Sequence, residues 1–246
     1  MDVAANPALS TNQMNRFASK SNSGVMTFGG TLSKIGLTFA VLIAAGIWGW
    51  LSLPGLIESY STRLLWVGTI ALFIVGFWAA IKPGLVSVML YSVLEGFYLG
   101  AISRAFDAMS GGIVTQAVLI TISIAIVSYL LYAAGLIKVN DKFRSVVTIA
   151  TFGVFGYILI EWILSIFVPG FVGMTTSGTW GLVIGLVIVI IASLNLFLDY
   201  AVITQGVEEG LSKKAEWYAA FGLVLTLIWL YISVLRLLMS SKSNSN

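Results

Sequence analysis

LNLFLDYAVITQGVEEGLSKKAEWYAAFGLVLTLIWLYISVLRLL, residues 194–238, decides how the chain is read. An apolar run ends, a short charged turn follows, and a second apolar run of helical length begins. Asp199 lies inside the first run, about one helical turn before it ends. An aspartate at the centre of a membrane helix costs about 2.5–3.5 kcal/mol on insertion scales, and less near an interface. Asp199 therefore needs a partner, water, an ion or a proton. It is the first functional candidate.

The rest of the chain has the same character. Of its 246 residues, 59% are hydrophobic and 9% are charged, and the mean hydropathy is +1.00. Soluble domains carry about 25% charged residues, so a polytopic all-α integral membrane protein is expected. There is no Cys, which excludes disulfides, thiolate metal sites and cysteine nucleophiles. There is no His either, so carboxylates must carry any response to pH. A net charge of +3 is too small to point to nucleic acid and fits the usual Lys/Arg bias of cytoplasmic loops.

Residues 1–33 are polar and small, and read as a partly disordered cytoplasmic tail. Met26-Thr27-Phe28 is expected at the membrane surface. Residues 34–239 read as a transmembrane domain and 240–246 as a disordered C-terminal tail. Seven spans follow by length and apolarity, over 35–53, 63–81, 84–106, 113–137, 145–168, 177–203 and 216–239. Leu53-Pro54-Gly55 closes the first span and Pro169-Gly170 the fifth.

Arg16, Lys20, Lys34, Lys82, Lys138, Lys142, Arg144, Lys213 and Lys214 fall on the side of the N-terminus. Only Arg63, Arg104, Arg236 and Lys242 fall on the other. This bias predicts a cytoplasmic N-terminus and an external C-terminus. Gly96-x-x-x-Gly100, Gly181-x-x-x-Gly185 and the pair Gly153 and Gly156 mark faces where helices can approach closely.

Four ionisable residues sit inside spans: Glu95, Arg104, Glu161 and Asp199. None faces lipid cheaply. Glu95 is too deep to snorkel and reads either as part of a polar pathway or as a structural hydrogen bond. Arg104 either snorkels to the outer interface or pairs. Glu161 either pairs or reaches external water. Asp199 either serves a pathway or meets cytoplasmic water or a loop Lys. Glu208, Glu209, Lys213, Lys214 and Glu216 read as a solvated turn. No Ser-His or Cys-His arrangement is possible, no phosphate-binding Gly-rich loop with Lys appears, and only one aspartate lies within a span. The chain is expected to be no enzyme and to hold no resident cofactor.

These pieces, in order, resemble a family. They are Asn6-Pro7-Ala8-Leu9, Met26-Thr27, Gly30-Thr31 with Lys34, and Tyr91…Glu95-Gly96…Gly100-x-Ile102-Ser103. Then come Asn195-Leu196-x-Leu198-Asp199, Glu216-Trp217-Tyr218-Ala219-Ala220-Phe221-Gly222-Leu223 and Leu235-Arg236-Leu237-Leu238. Together they resemble the Bax inhibitor-1 family in its bacterial YccA-like branch, over nearly the whole chain. The resemblance implies a seven-helix bundle with one central helix wrapped by the others. It implies a pH-sensitive calcium leak across a bacterial inner membrane. It also implies two aspartates sharing a proton on the last two helices, and an arginine latch.

The first of those aspartates maps onto Asp199 and the second onto the neighbourhood of Thr226, where no carboxylate stands. Two adjacent carboxylates share a proton because like charges repel. Asp199 lacks that second aspartate. Arg104 is the candidate latch, and Glu161 the candidate for a structural ion pair. Ca²⁺ takes carboxylate, carbonyl, amide and water oxygens. Asp199, Asn195, Thr226 and Glu95 would line its path, with Asp199 the candidate ligand. The alternatives are a non-conducting regulator that binds a quality-control protease or other membrane proteins, and a proton-coupled transporter using Glu95 and Glu161.

Overall fold

The computed structural model describes residues 24–59, 62–168 and 178–243. They form seven α-helices: α1 (Phe28–Ser59), α2 (Thr62–Ile81), α3 (Leu85–Met109), α4 (Ile113–Ala133), α5 (Asp141–Phe167), α6 (Gly178–Glu208) and α7 (Ala215–Ser243). Six are long and apolar enough to cross a membrane. The remaining one, α2, presents an apolar stretch from Gly68 to Ile81. The chain is a multi-pass membrane protein. Large apolar side chains such as Phe73, Val86 and Ile149 stand exposed along the spans, which suits lipid and not water.

Helical backbones suit this setting because every internal N–H and C=O is satisfied within the segment. The hydroxyls follow the same rule. Ser92, Thr121, Thr151 and Ser193 each donate to the carbonyl four residues earlier, at 2.7–2.8 Å. Each of these four hydroxyls is satisfied by its own turn.

Several helix bounds depart from expectation: α3 runs on to Met109 and takes in Asp107, α4 stops at Ala133, α5 starts at Asp141, α6 runs on to Glu208, and α1 and α7 are also longer. α1 starts at Phe28, ahead of the expected boundary after Lys34. Thr27 caps it, its hydroxyl accepting from the Gly30 N–H at 3.0 Å. Met26 is buried while Phe28 is exposed, and the Met26 N–H donates to the Leu211 carbonyl at 2.6 Å. α1 also continues through Pro54 to Ser59, since membrane helices tolerate an internal proline. α7 continues to Ser243, past the expected end at 239. Ser240 is buried there and Lys242 complements the dipole in the last turn. Residues 1–23, Pro169-Gly170 and the last three residues lie outside the described residues.

Two compact units divide the described chain. One comprises 112–202 and 225–243, and the other 24–111 and 203–224. Helices α6 and α7 contribute to both. In the second unit α1 packs on α3 through the expected glycine face. A Cβ at Gly96 would strike the Leu42 carbonyl, and one at Gly100 the Gly46 carbonyl. Gly153 and Gly156 have open space instead, so that pair does not mark a close approach. The last helix is the most enclosed. In its most apolar stretch 61% is buried, against 22% in α1.

Candidate functional site

From Leu196 to Val202 every residue of α6 is buried. A helix covered all round is in the interior and not on a lipid-facing rim. Val147 and Leu198 form a core cluster there with Val139, Phe143 and Leu194 packed against it. The Phe143 and Phe197 rings meet edge to face, 6.3 Å between centroids. Tyr200 donates its hydroxyl to the Ala125 carbonyl at 3.0 Å and packs against Tyr129 at 5.5 Å. These contacts fix the rotation of α6 about its axis.

That rotation sends Asn195 and Asp199 inward. They are four residues apart on one face, exposed by 1% and 0%. The Asn195 amide donates to the Thr151 hydroxyl and to the Ile191 carbonyl, each at 2.8 Å. Its Oδ1 has no hydrogen-bond partner among the described residues. A buried carbonyl oxygen without a donor costs about 1–3 kcal/mol. The amide is thus anchored at one end and leaves an acceptor open at the other. A hard acceptor one turn from a buried carboxylate is chemistry suited to a cation or a water-borne proton.

The other residues expected at a pathway have separate settings. Thr226 is buried on α7. Glu95 belongs to the second compact unit, half-buried, and Tyr91 hydrogen-bonds it from one turn earlier. Tyr91 is held edge to face against Phe221 at 5.1 Å. Glu161 accepts from the Tyr157 hydroxyl. Arg104 is exposed, with its guanidinium 5.3 Å from the Trp50 ring centroid. Among the described residues no group of three or more acidic side chains is placed to hold a metal ion. Any cation at Asp199 would draw on neutral oxygens and water.

One buried site was not legible from composition. Glu208, Glu209, Lys213 and Lys214 are exposed, as a solvated turn requires. Glu216 is not: its side chain is fully buried and paired with Lys34 Nζ. Its Oε1 accepts from the Thr27 N–H at 3.0 Å and the Thr27 hydroxyl at 3.2 Å. A carboxylate normally reaches back to a cap from the same helix, but here it comes from α7 to the start of α1. A Cβ at Gly30 would strike the Glu216 carboxylate, so only glycine lets the two approach. Lys34 also lies 5.3 Å from the Trp217 ring centroid. An antiparallel bridge between Val25 and Ser212 extends the attachment, and the Lys213 N–H donates to the Gly24 carbonyl at 3.0 Å. The signal was present in Thr27, Gly30, Lys34 and Glu216, which stand among the residues that carry the family resemblance.

A family model described as Bax inhibitor 1 like matches residues 6–243. No curated protein matches the chain.

Proposed function

The chain belongs to the Bax inhibitor 1 like family, and from that premise we propose that it is a pH-sensitive passive calcium leak of a bacterial inner membrane. The proposed form has seven spans, the N-terminus in the cytoplasm, the C-terminus outside and α7 as the central helix. The high burial of α7 supports that last feature. The chain is proposed to belong to the YccA-like branch, to act without a resident cofactor and to catalyse no reaction.

One observation carries the reading: Asp199 is fully buried in α6, one turn from the open Asn195 acceptor. A deprotonated Asp199 offers an arriving Ca²⁺ a charge, and the Asn195 oxygen replaces part of its water shell. A protonated Asp199 offers neither charge nor an extra lone pair, and the path closes. Thr226 and Glu95 supply further oxygens along the way. Arg104 is proposed as the latch that shuts the path by pairing.

The test is flux of Ca²⁺ into dye-loaded liposomes at about pH 6, 7 and 8, the range in which a buried carboxylate's proton can be exchanged in general. Wild-type protein gives a graded flux, and Asp199→Asn abolishes both flux and its pH dependence. Unchanged flux in Asp199→Asn removes Asp199 from the mechanism. The second reading, a non-conducting regulator of a membrane protease or other membrane proteins, is favoured by Thr226 standing where the family's second aspartate is expected. In that case no flux appears at any pH, and deleting residues 1–25 abolishes partner capture.

A further inference from the structure

α6 and α7 are joined by a short turn, and in the first compact unit Gly185 of α6 lies beside Leu237 of α7. A cleft opens there, lined among others by Gly181, Gly185, Ile188, Trp229, Arg236 and Leu237. Its walls are largely apolar, and no carboxylate is among its lining residues. Two polar groups in it lack partners. The Trp229 indole N–H is buried and has no acceptor among the described residues. Arg236 is exposed and makes no ion pair among them.

We propose that this cleft is a phospholipid site, with the phosphodiester on the Arg236 guanidinium and one acyl chain lying along its apolar wall. Arginine binds a phosphate through two parallel N–H donors, and it stands seven residues beyond Trp229. Seven residues are two turns, so both side chains leave the same face about 10 Å apart along the axis. The long Arg side chain can reach the headgroup level while Trp229 lies deeper, where an ester carbonyl or the first methylenes pass. Gly185 lets α6 close on Leu237, which lies 3.2 Å from where a Cβ would stand, and Gly181 contributes no side chain to the cleft wall. Trp180, Val183 and Val187 expose apolar surface on the same helix, which places lipid around the cleft.

With no acidic side chain to hold a choline or ethanolamine group, the site favours an anionic headgroup. This inference is independent of the calcium leak.

The experiment is native mass spectrometry of the full-length protein in detergent after incubation with phosphatidylglycerol or phosphatidylethanolamine. Wild-type protein retains phosphatidylglycerol preferentially. Arg236→Gln loses about tenfold in retention, the scale of one charge-assisted contact, and Arg236→Lys recovers part of it. Gly181→Leu keeps the charge, fills the cleft and loses retention as well. It also decides the matter if Arg236→Gln does not fold. Wild-type retention in Arg236→Gln or in Gly181→Leu overturns the proposal, as does equal retention of both lipids by the wild type.

Discussion

Glu216 and Asn195 are both buried in membrane helices, yet their acceptors are treated in opposite ways. The Glu216 carboxylate receives three donors: Lys34 Nζ, the Thr27 N–H and the Thr27 hydroxyl. The Asn195 amide uses its nitrogen twice and leaves its oxygen without a donor among the described residues. A buried charge persists only where it is paired and hydrogen-bonded, and the first cluster meets that condition. An open buried acceptor raises the energy of the folded chain unless something else visits it. The difference separates a polar cluster that holds structure from one that is available to a ligand.

Breaking the saturated cluster is the harshest test of this contrast. Glu216→Ala leaves Lys34 and the Thr27 donors facing an emptied site, and is expected to destabilise by about 3 kcal/mol. Chemical unfolding in detergent measures it. The double variant Lys34→Met/Glu216→Leu recovers most of that loss, because no unpaired charge remains. If the single and double variants cost the same, the ion pair is not what holds these segments together.

Gly30→Val attacks the same cluster through shape alone. Its side chain displaces the Glu216 carboxylate, and the expected loss is about 2 kcal/mol, as for an overpacked site. Retained stability would mean that the carboxylate moves aside freely and that the cluster is not tightly built.

Asn195→Leu sharpens the other side. It removes two hydrogen bonds and one unsatisfied acceptor together, so stability changes by about 1 kcal/mol or less. Calcium flux in liposomes nevertheless falls several-fold. A large stability loss without a flux change would reassign Asn195 to structure.

Arg104→Gln is the mildest change. It removes a cation resting on the Trp50 face at an exposed position, worth about 0.5–1 kcal/mol. A larger loss, read by the same unfolding measurement, would show that Arg104 has a second role in holding the fold.

The helices were legible because membrane spans announce themselves by length and apolarity. The Gly96 and Gly100 face was legible too, since small residues four apart permit close backbones. Gly153 and Gly156 carry a similar signal with no neighbour among the described residues to receive it, because spacing does not say what lies opposite. Asp199 was found from the cost of a carboxylate inside an apolar run. Glu216 was misread because its neighbours Lys213 and Lys214 are indeed solvated. Nothing in the local pattern distinguishes a carboxylate that turns outward from one that turns inward. Only Thr27, Gly30 and Lys34, almost two hundred residues earlier in the chain, make the inward turn favourable.

The amino-acid sequence by itself determined a multi-pass helical membrane protein. Hydrophobic length and backbone self-satisfaction are local properties and leave no other solution in lipid. It also placed Asp199 within an apolar run and Thr226 where a second aspartate is expected; Asp107 and Asp141 fall within helices only because α3 and α5 are longer than the apolar runs. Tertiary structure decided which polar groups are saturated. It joined Glu216 to the start of α1, closed seven successive residues of α6 in the interior, and left the Asn195 oxygen and the Trp229 N–H without partners among the described residues. Satisfaction of a buried group is set by whatever donor or acceptor the fold brings from elsewhere in the chain, and no local pattern contains that information.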